Sequence, residues 1–319
     1  MHIQIVGLHA PNAPRLRELL GPGHEVEALQ AFPGSVDIRA DVVISNSMSA
    51  EEAGRLNCRL VHVPGAGSEQ IALPSLPSGT TVCNVHGHEV PIAEFTLHAI
   101  LEHFLQLWQY PPRLDADAWA QSYASREQHD EADGKTVAIL GFGHIGQEIA
   151  RRARACGMHV IAVTRSGKQG SAELAHEYAA VSGLDDVLPR VHVLVVCCPL
   201  DDSTRGLIGA RQLALLSSRA LLINVARAEV VHEQALYEAL RDQRLGRAVL
   251  DVWYQYPKKG QPPVDPSRWP LHELPNVRAT PHISAITPAL LDRRYRFMAR
   301  NIERLAQGQP LLNVIHQAA

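Results

Sequence analysis

The stretch "VAILGFGHIGQEIARRA", residues 137–153, decides how this chain is read. Four apolar residues run as a strand would and stop at Gly141. Glycines recur at 143 and 146, and an amphipathic helical pattern follows. Each glycine answers a steric need: the first permits the tight turn, the second lets a pyrophosphate approach the backbone, and the third lets helix and strand pack closely. The opening turn of the helix adds unpaired N–H groups and a dipole that favours an anion. G-x-G-x-x-G alone is a weak signal. Here the preceding strand, the following helix and the next strand, "HVIAVT" at 159–164, agree with it. Gly141, Phe142, Gly143, His144, Ile145 and Gly146 are therefore expected to bind a dinucleotide.

The end of that next strand bears on which dinucleotide. "VIAVTRSGK", residues 160–168, has no Asp or Glu where a carboxylate would accept the ribose hydroxyls of NAD. It offers Thr164, Arg165, Ser166 and Lys168 instead. A guanidinium can pair with a 2′-phosphate and hydroxyls can hydrogen-bond to it. NADP is expected over NAD, with NAD possible if Arg165 stacks on the adenine and leaves the phosphate alone.

The bulk composition fits such a protein. The 319 residues suffice for two domains of ordinary size. The formal net charge of -3 argues against a partner with a phosphate backbone, and so against nucleic acid, and gives no attraction to an anionic membrane surface. No run approaches the ~20 apolar residues of a membrane helix; "VLVVCCPL" is strand-sized. The N-terminal "MHIQIVG" reads as a first strand, with no signal-peptide pattern. The five cysteines are odd in number and match no zinc or disulfide spacing, so reduced thiols and a cytoplasmic setting are expected. "HGHE" at 86–89 lacks further ligands at fitting spacing, and no metal is expected.

Along the chain, "IQIVGL", "DVVIS" and "LVHVPG" read as strands, and "APRLRELLG" and "SAEEAGRL" as helices, which makes a small α/β unit. "IAEFTLHAILEHFLQLWQ" (92–109) reads as a long helix, apolar nearly all round and therefore buried, which "YPPRLDADAW" breaks. Six strands follow, in "TVAIL", "HVIAVT", "HVLVVCC", "ALLINVA", "RAVLDVW" and "VRATPHI", most of them separated by helices, as in a doubly wound nucleotide-binding sheet. A last helix is framed by Thr287 as N-cap, Pro288 at its first position and Gly308 past its end.

Four stretches fall in a telling order: "GFGHIG" (141–146), "LLINVARAEVVHEQAL" (221–236), "LDVWYQYP" (250–257) and "PLHELPNVRATPHIS" (270–284). Together they resemble the D-isomer-specific 2-hydroxyacid dehydrogenases, a family that includes glyoxylate and hydroxypyruvate reductases. The likeness runs from "VPGAGSEQI" to "LLNVI". It implies an α/β fold of two Rossmann-like or flavodoxin-like domains with parallel doubly wound sheets. The dinucleotide-binding domain, 95–286, would be inserted into a substrate domain made of 1–94 plus 287–319. It also implies interconversion of a small 2-keto acid and a D-2-hydroxy acid, and commonly a homodimer.

Carried over by position, Arg227 is implied to grip the substrate carboxylate and polarise the carbonyl beside it, work suited to a guanidinium fork. His282 is implied as the acid/base that exchanges a proton with the carbonyl oxygen. Gly65, Ala66 and Gly67 are implied to hold the carboxylate on backbone N–H groups. Asp251 would orient the nicotinamide amide, with Ser284 close to it. Cys198, Pro199 and Thr204 would lie by the adenosine, and Val225 and Ala226 complete the implied cofactor set. Ala228 stands where the family usually has Gly, which bears on local backbone geometry only.

One family residue is missing. The pattern D-V-x-x-x-E-P keeps its register at Asp251, Val252 and Pro257, so the position of Glu falls on Tyr256. In the family, that Glu orients the catalytic histidine and favours its imidazolium form. A tyrosine can orient the ring but brings no charge at neutral pH. Three readings follow. Tyr256, or Gln255 beside it, is a neutral partner. Glu89 reaches the histidine instead. Or the chemistry differs, as formate dehydrogenase-like hydride transfer or as dinucleotide sensing without catalysis. The presence of Arg227 and His282 favours an enzyme with a neutral histidine partner. Which 2-hydroxy acid it takes is not legible in the motifs.

Overall fold

The computed structural model describes residues 1–34, 36–110, 113–168, 173–257 and 261–318, with the side chain of Trp108 left aside. Pro111 and Pro112 of the helix-breaking stretch, and Lys258 to Gly260 after the missing-Glu position, lie outside the described residues. The chain groups into two units, Met1–Gly87 with Ile286–Ala319, and His88–Ala285. The crossovers thus fall at 87/88 and 285/286, against the 94/95 and 286/287 read from the sequence.

In chain order, the first unit opens with β1 (His2–Val6), α1 (Ala13–Leu20), β2 (Glu25–Leu29), β3 (Ile38–Arg39), β4 (Val42–Ile44), α2 (Ala50–Gly54), β5 (Leu56–Asn57), β6 (Leu60–His62) and β7 (Thr81–Cys83). The second unit holds α3 (Glu89–Leu105), α4 (Ala116–Ser125), β8 (Thr136–Leu140), α5 (His144–Ala155), β9 (His159–Thr164), β10 (Glu177–Ala180), α6 (Leu184–Val187), β11 (Val193–Val196), α7 (Ala210–Leu215), β12 (Leu221–Asn224), α8 (Glu233–Arg241), β13 (Arg247–Leu250) and β14 (Val277–Ala279). The chain then returns to the first unit with α9 (Pro288–Ala306) and β15 (Val314–Gln317).

The sheet of the first unit runs β15-β7-β6-β4-β1-β2, parallel except for β15. Its pleat sorts the core in two: Ile3, Ile5, Val42 and Ile44 pack under α1 and α9, while Val6, Val43, Val61 and Val82 pack on the other face. Thr287 caps α9 by accepting from Leu290 N at 3.1 Å, ahead of Pro288, and Gly308 takes φ 65° beyond its end. The helix is bolted down by Asn301, which is fully buried. Its Oδ1 accepts from Leu312 N (2.9 Å), while Nδ2 donates to Leu312 O (2.9 Å) and faces His62 Nε2 (3.2 Å).

The second unit is a seven-stranded sheet, β10-β9-β8-β11-β12-β13-β14, parallel throughout. Six of these strands fall within the stretches read as strands, five of them as apolar runs. The seventh, β10, was missed because "EYAA" is a half-buried edge strand with no such run. Strands buried on both faces read as continuous apolar sequence. Ala138, Leu140, Leu194 and Val196 serve one core, and Val137, Ile139, Val193 and Val195 the other, with α3 and α5. α3 begins three residues before the expected helix and ends at Leu105, where Gln106 turns left-handed at φ 51°. No helix among the described residues is long and apolar enough to cross a membrane.

Candidate active site

Because every strand of the second unit is parallel, all its carboxyl ends open on one edge, and the order reverses at β8, between β9 and β11. Ligands of open α/β sheets bind at such a switch point. The glycine loop sits there. Gly141 takes φ +98°, and a Cβ on it would stand 2.6 Å from the Cys198 backbone. A Cβ on Gly146 would strike the Gly141 carbonyl, whereas Gly143, the cap of α5, faces open space. The backbone is thus bare at the position where a pyrophosphate would come closest.

Beside this loop lies a cavity of about 1000 Å³ lined by residues from four strand ends. Of the residues assigned to the cofactor, Gly141, Phe142, Thr164, Arg165, Cys198, Pro199 and Thr204 line it. Gly143, His144, Ile145, Gly146, Ser166, Lys168, Val225 and Ala226 are not part of that lining. Ser182, Asp201, Asp202 and Ser203 are, and sequence reading missed them. Asp201 matters most, since it brings a carboxylate next to Arg165 even though the β9 end itself has none. A dinucleotide fits this cradle: a bare turn, a helix N-terminus and a mixed polar and apolar slot beside it.

Arg227, Tyr256 and His282 follow three adjacent strands, β12, β13 and β14, on the same edge. Arg227 is presented by a tight loop organised by buried Asn224. Asn224 Oδ1 accepts from Ala226 N (3.1 Å) and its Nδ2 donates to Arg227 O (3.0 Å). Arg227 Nη1 donates to Ala226 O at 2.8 Å, and the residue is exposed. Ala228 is buried in a single helical turn without a positive φ, so its methyl is accommodated.

Asp251 is fully buried and clamps the loop that carries His282. Its Oδ1 accepts from Thr280 Oγ1 (2.6 Å) and Ile283 N (2.8 Å), and its Oδ2 from Ser284 N (2.9 Å). Trp253 Nε1 and His282 N both donate to Thr280 O, at 2.8 and 3.0 Å. Between these anchors His282 adopts φ 58°. Histidine is enriched in the left-handed region, yet the conformation still costs of order 1–3 kcal/mol and persists only where surroundings over-determine it. Asp251 therefore has more to do than meet a nicotinamide amide, because most of its acceptor capacity is spent on this loop.

Tyr256 Oη lies 2.9 Å from His282 Nδ1 and accepts from Trp253 N at 3.2 Å. Burial raises the phenol above its usual pKa, against the opposing pull of the Trp253 N–H and the Arg227 charge, so it stays protonated at neutral pH. Glu89, the alternative partner, lies 3.8 Å from His88 Nδ1. In the first unit, the turn Gly65-Ala66-Gly67 is held through its carbonyls, by Val85 N on Gly65 O (3.1 Å) and Asn84 Nδ2 on Ala66 O (2.8 Å). The Glu69 carboxylate fills the space a Gly67 side chain would take.

A glycine loop at the switch point of a doubly wound sheet, with an Arg and a His on strand ends one strand apart, defines a class of dinucleotide-binding proteins. Residues 97–284 match the model of the D-isomer specific 2-hydroxyacid dehydrogenase, NAD binding domain, and the chain belongs to that family. It is 30% identical over 299 residues to glyoxylate/hydroxypyruvate reductase B of Yersinia enterocolitica, covering 94% of this chain and 85% of that one. It is 32% identical over 238 residues to hydroxypyruvate reductase of Thermotoga maritima, covering 74% and 73%. Against several other curated relatives the match spans only about half of their length. Among solved structures, the NADPH-dependent glyoxylate/hydroxypyruvate reductase of Sinorhizobium meliloti, in complex with NADP and sulfate, aligns with a TM-score of 0.75 at 27% identity, covering 99% and 98% of the two chains.

Proposed function

We propose that this protein interconverts a small 2-keto acid and its D-2-hydroxy acid, with NADP(H) preferred over NAD(H). The observation that carries the reading is the convergence of Arg227, Tyr256 and His282 on the same sheet edge as the glycine loop. The dependence of the Sinorhizobium meliloti relative on NADPH, and the substrates named for the two reductases, support the cofactor and substrate class.

Bound in the cradle, the dinucleotide supplies or takes up the hydride. The chain does the rest. Arg227 pairs with the substrate carboxylate and draws electron density from the adjoining carbonyl. In the first unit, the backbone N–H groups of Gly65, Ala66 and Gly67 have no acceptor among the described residues, which suits the anion nest implied for them. His282 Nε2 delivers the proton to the forming alkoxide, or takes it from the alcohol. For Nε2 to do so, Nδ1 must keep its own hydrogen throughout. Tyr256 therefore serves as an acceptor: Trp253 N–H and His282 Nδ1–H both donate to its oxygen. Thr164, Arg165, Ser166 and Lys168 meet the adenosine end, and Asp251 and Ser284 the nicotinamide end.

A homodimer is part of the proposal. α4 buries no residue in the single chain and exposes Trp119 and Tyr123, with Leu114 just before it. A cytoplasmic setting is supported by the five cysteines, all free. The test is NADPH oxidation with glyoxylate, hydroxypyruvate and phenylpyruvate. Turnover of at least one, abolished by His282→Ala, is expected; intact NADPH binding with no turnover of any 2-keto acid would sink the reading.

A further inference from the structure

Arg165 follows β9 and Asp201 follows β11, the two strands that flank β8. Their side chains meet, Nη2 to Oδ2 at 3.0 Å, and both line the cavity beside the glycine loop. The pair is thus a strap from one flank of the switch point to the other.

The charge on Asp201 exceeds what its turn requires. Oδ1 alone accepts from Ser203 N (2.8 Å), Ser203 Oγ (2.5 Å), Thr204 N (3.1 Å) and Thr204 Oγ1 (3.4 Å), work that a neutral Asn, Ser or Thr also does in turns. Oδ2 has Arg165. The pair is well exposed, at 82% and 38%, and such pairs contribute little to folding. Asp202 lines the same cavity, so its described lining carries one cation against two carboxylates. A 2′-phosphate arriving there finds its guanidinium already neutralised and a second negative charge nearby.

We propose that Asp201 is a specificity-determining residue that holds Arg165 and thereby restrains the discrimination in favour of the 2′-phosphorylated dinucleotide. This rests on the reading of Arg165 as the 2′-phosphate ligand. NADP(H) must exchange places with Asp201 on the guanidinium, whereas NAD(H) leaves the pair intact. The preference is then narrow, and both dinucleotides remain usable.

Asp201→Asn separates the two functions of this residue. The amide oxygen keeps the turn bonds of Oδ1, and the amide nitrogen cannot accept from Arg165. Dissociation constants for NADPH and NADH, read from nucleotide fluorescence at fixed ionic strength, should be compared in the wild type, Asp201→Asn, Arg165→Gln and the double variant. Asp201→Ser, whose hydroxyl also caps turns, makes the same comparison if the Asn variant folds poorly. NADPH is expected to tighten about three- to tenfold in Asp201→Asn while NADH moves less than about twofold, and the gain should vanish in the double variant. If Arg165→Gln weakens NADPH but Asp201→Asn leaves the ratio unmoved, the strap has no such role and the reading of Arg165 stands. If Arg165→Gln has no effect on NADPH, that reading fails and the restraint with it. Equal tightening of both dinucleotides would assign the effect to the turn and overturn the proposal.

Discussion

The oxygen of Tyr256 stands 2.9 Å from Nδ1 of His282, where the family pattern has a carboxylate. A phenol satisfies and orients the ring without favouring its charged form. Ketone reduction, which consumes a proton, should therefore decline with rising pH sooner than in a Glu-bearing relative. Tyr256→Glu is expected to move that limb of the kcat/KM profile upward by about one unit, since a facing carboxylate stabilises imidazolium. Tyr256→Phe, which leaves Nδ1–H without an acceptor, should cut kcat about tenfold. A limb unmoved by the Glu substitution would place the partner elsewhere.

Arg227 offers a planar fork that a lysine cannot copy. Arg227→Lys should lower kcat/KM by about a hundredfold, with NADPH binding unchanged by fluorescence titration. An equal loss of nucleotide affinity would assign Arg227 to the cofactor.

The glycine turn admits no side chain at 141. With φ +98° and a Cβ 2.6 Å from the Cys198 backbone, Gly141→Ala must displace the strand end after β11. A loss of about 2 kcal/mol or more in stability, together with loss of NADPH binding, is expected from thermal melts and titration.

The apolar runs made five of the seven strands of the second unit readable, because a parallel strand covered on both faces leaves little room for polar residues; β14, an edge strand reading "VRA", is part-buried to exposed and has no such run. β2, β3, β5, β7, β10 and β15 escaped: "EVEAL" and "EYAA" are only part-buried, and the others are short. The site divides the same way. Arg227, Asp251 and His282 sit at fixed offsets from strand ends and can be found by register. Asp201 cannot, since its meeting with Arg165 depends on two strands being next-nearest neighbours. The left-handed turn at His282 also left no local mark; it follows from hydrogen bonds to Asp251 and Trp253, about thirty residues away.

In the first unit, His62 should make stability fall in acid. The two Asn301–Leu312 bonds fix the amide so that Nδ2 faces His62 Nε2, which leaves the imidazole proton on Nδ1, donating to Val63 O at 3.2 Å. Burial drops the His62 pKa from 6.5 to about 4, outweighing the bond to Val63. The unfolded chain thus binds the extra proton first, so the folded state loses ground as pH falls from 6.5 and has lost all of this contribution below about 4. The total is about 3 kcal/mol. Intrinsic amide exchange slows as pH falls, so the expected sign of destabilisation is a drop in the protection factors of β1, β4 and β6 between pH 7 and pH 5. His62→Gln should flatten that dependence; an unchanged dependence would trace the acid sensitivity to other groups.

The left-handed backbone at His282 sets heat resistance and turnover against each other at one codon. Glycine or asparagine would sit there with less strain, and neither can shuttle a proton. A library sorted only for survival after heating would therefore enrich inert molecules at this position. Selection for catalysis must keep renewing a residue that selection for endurance would discard.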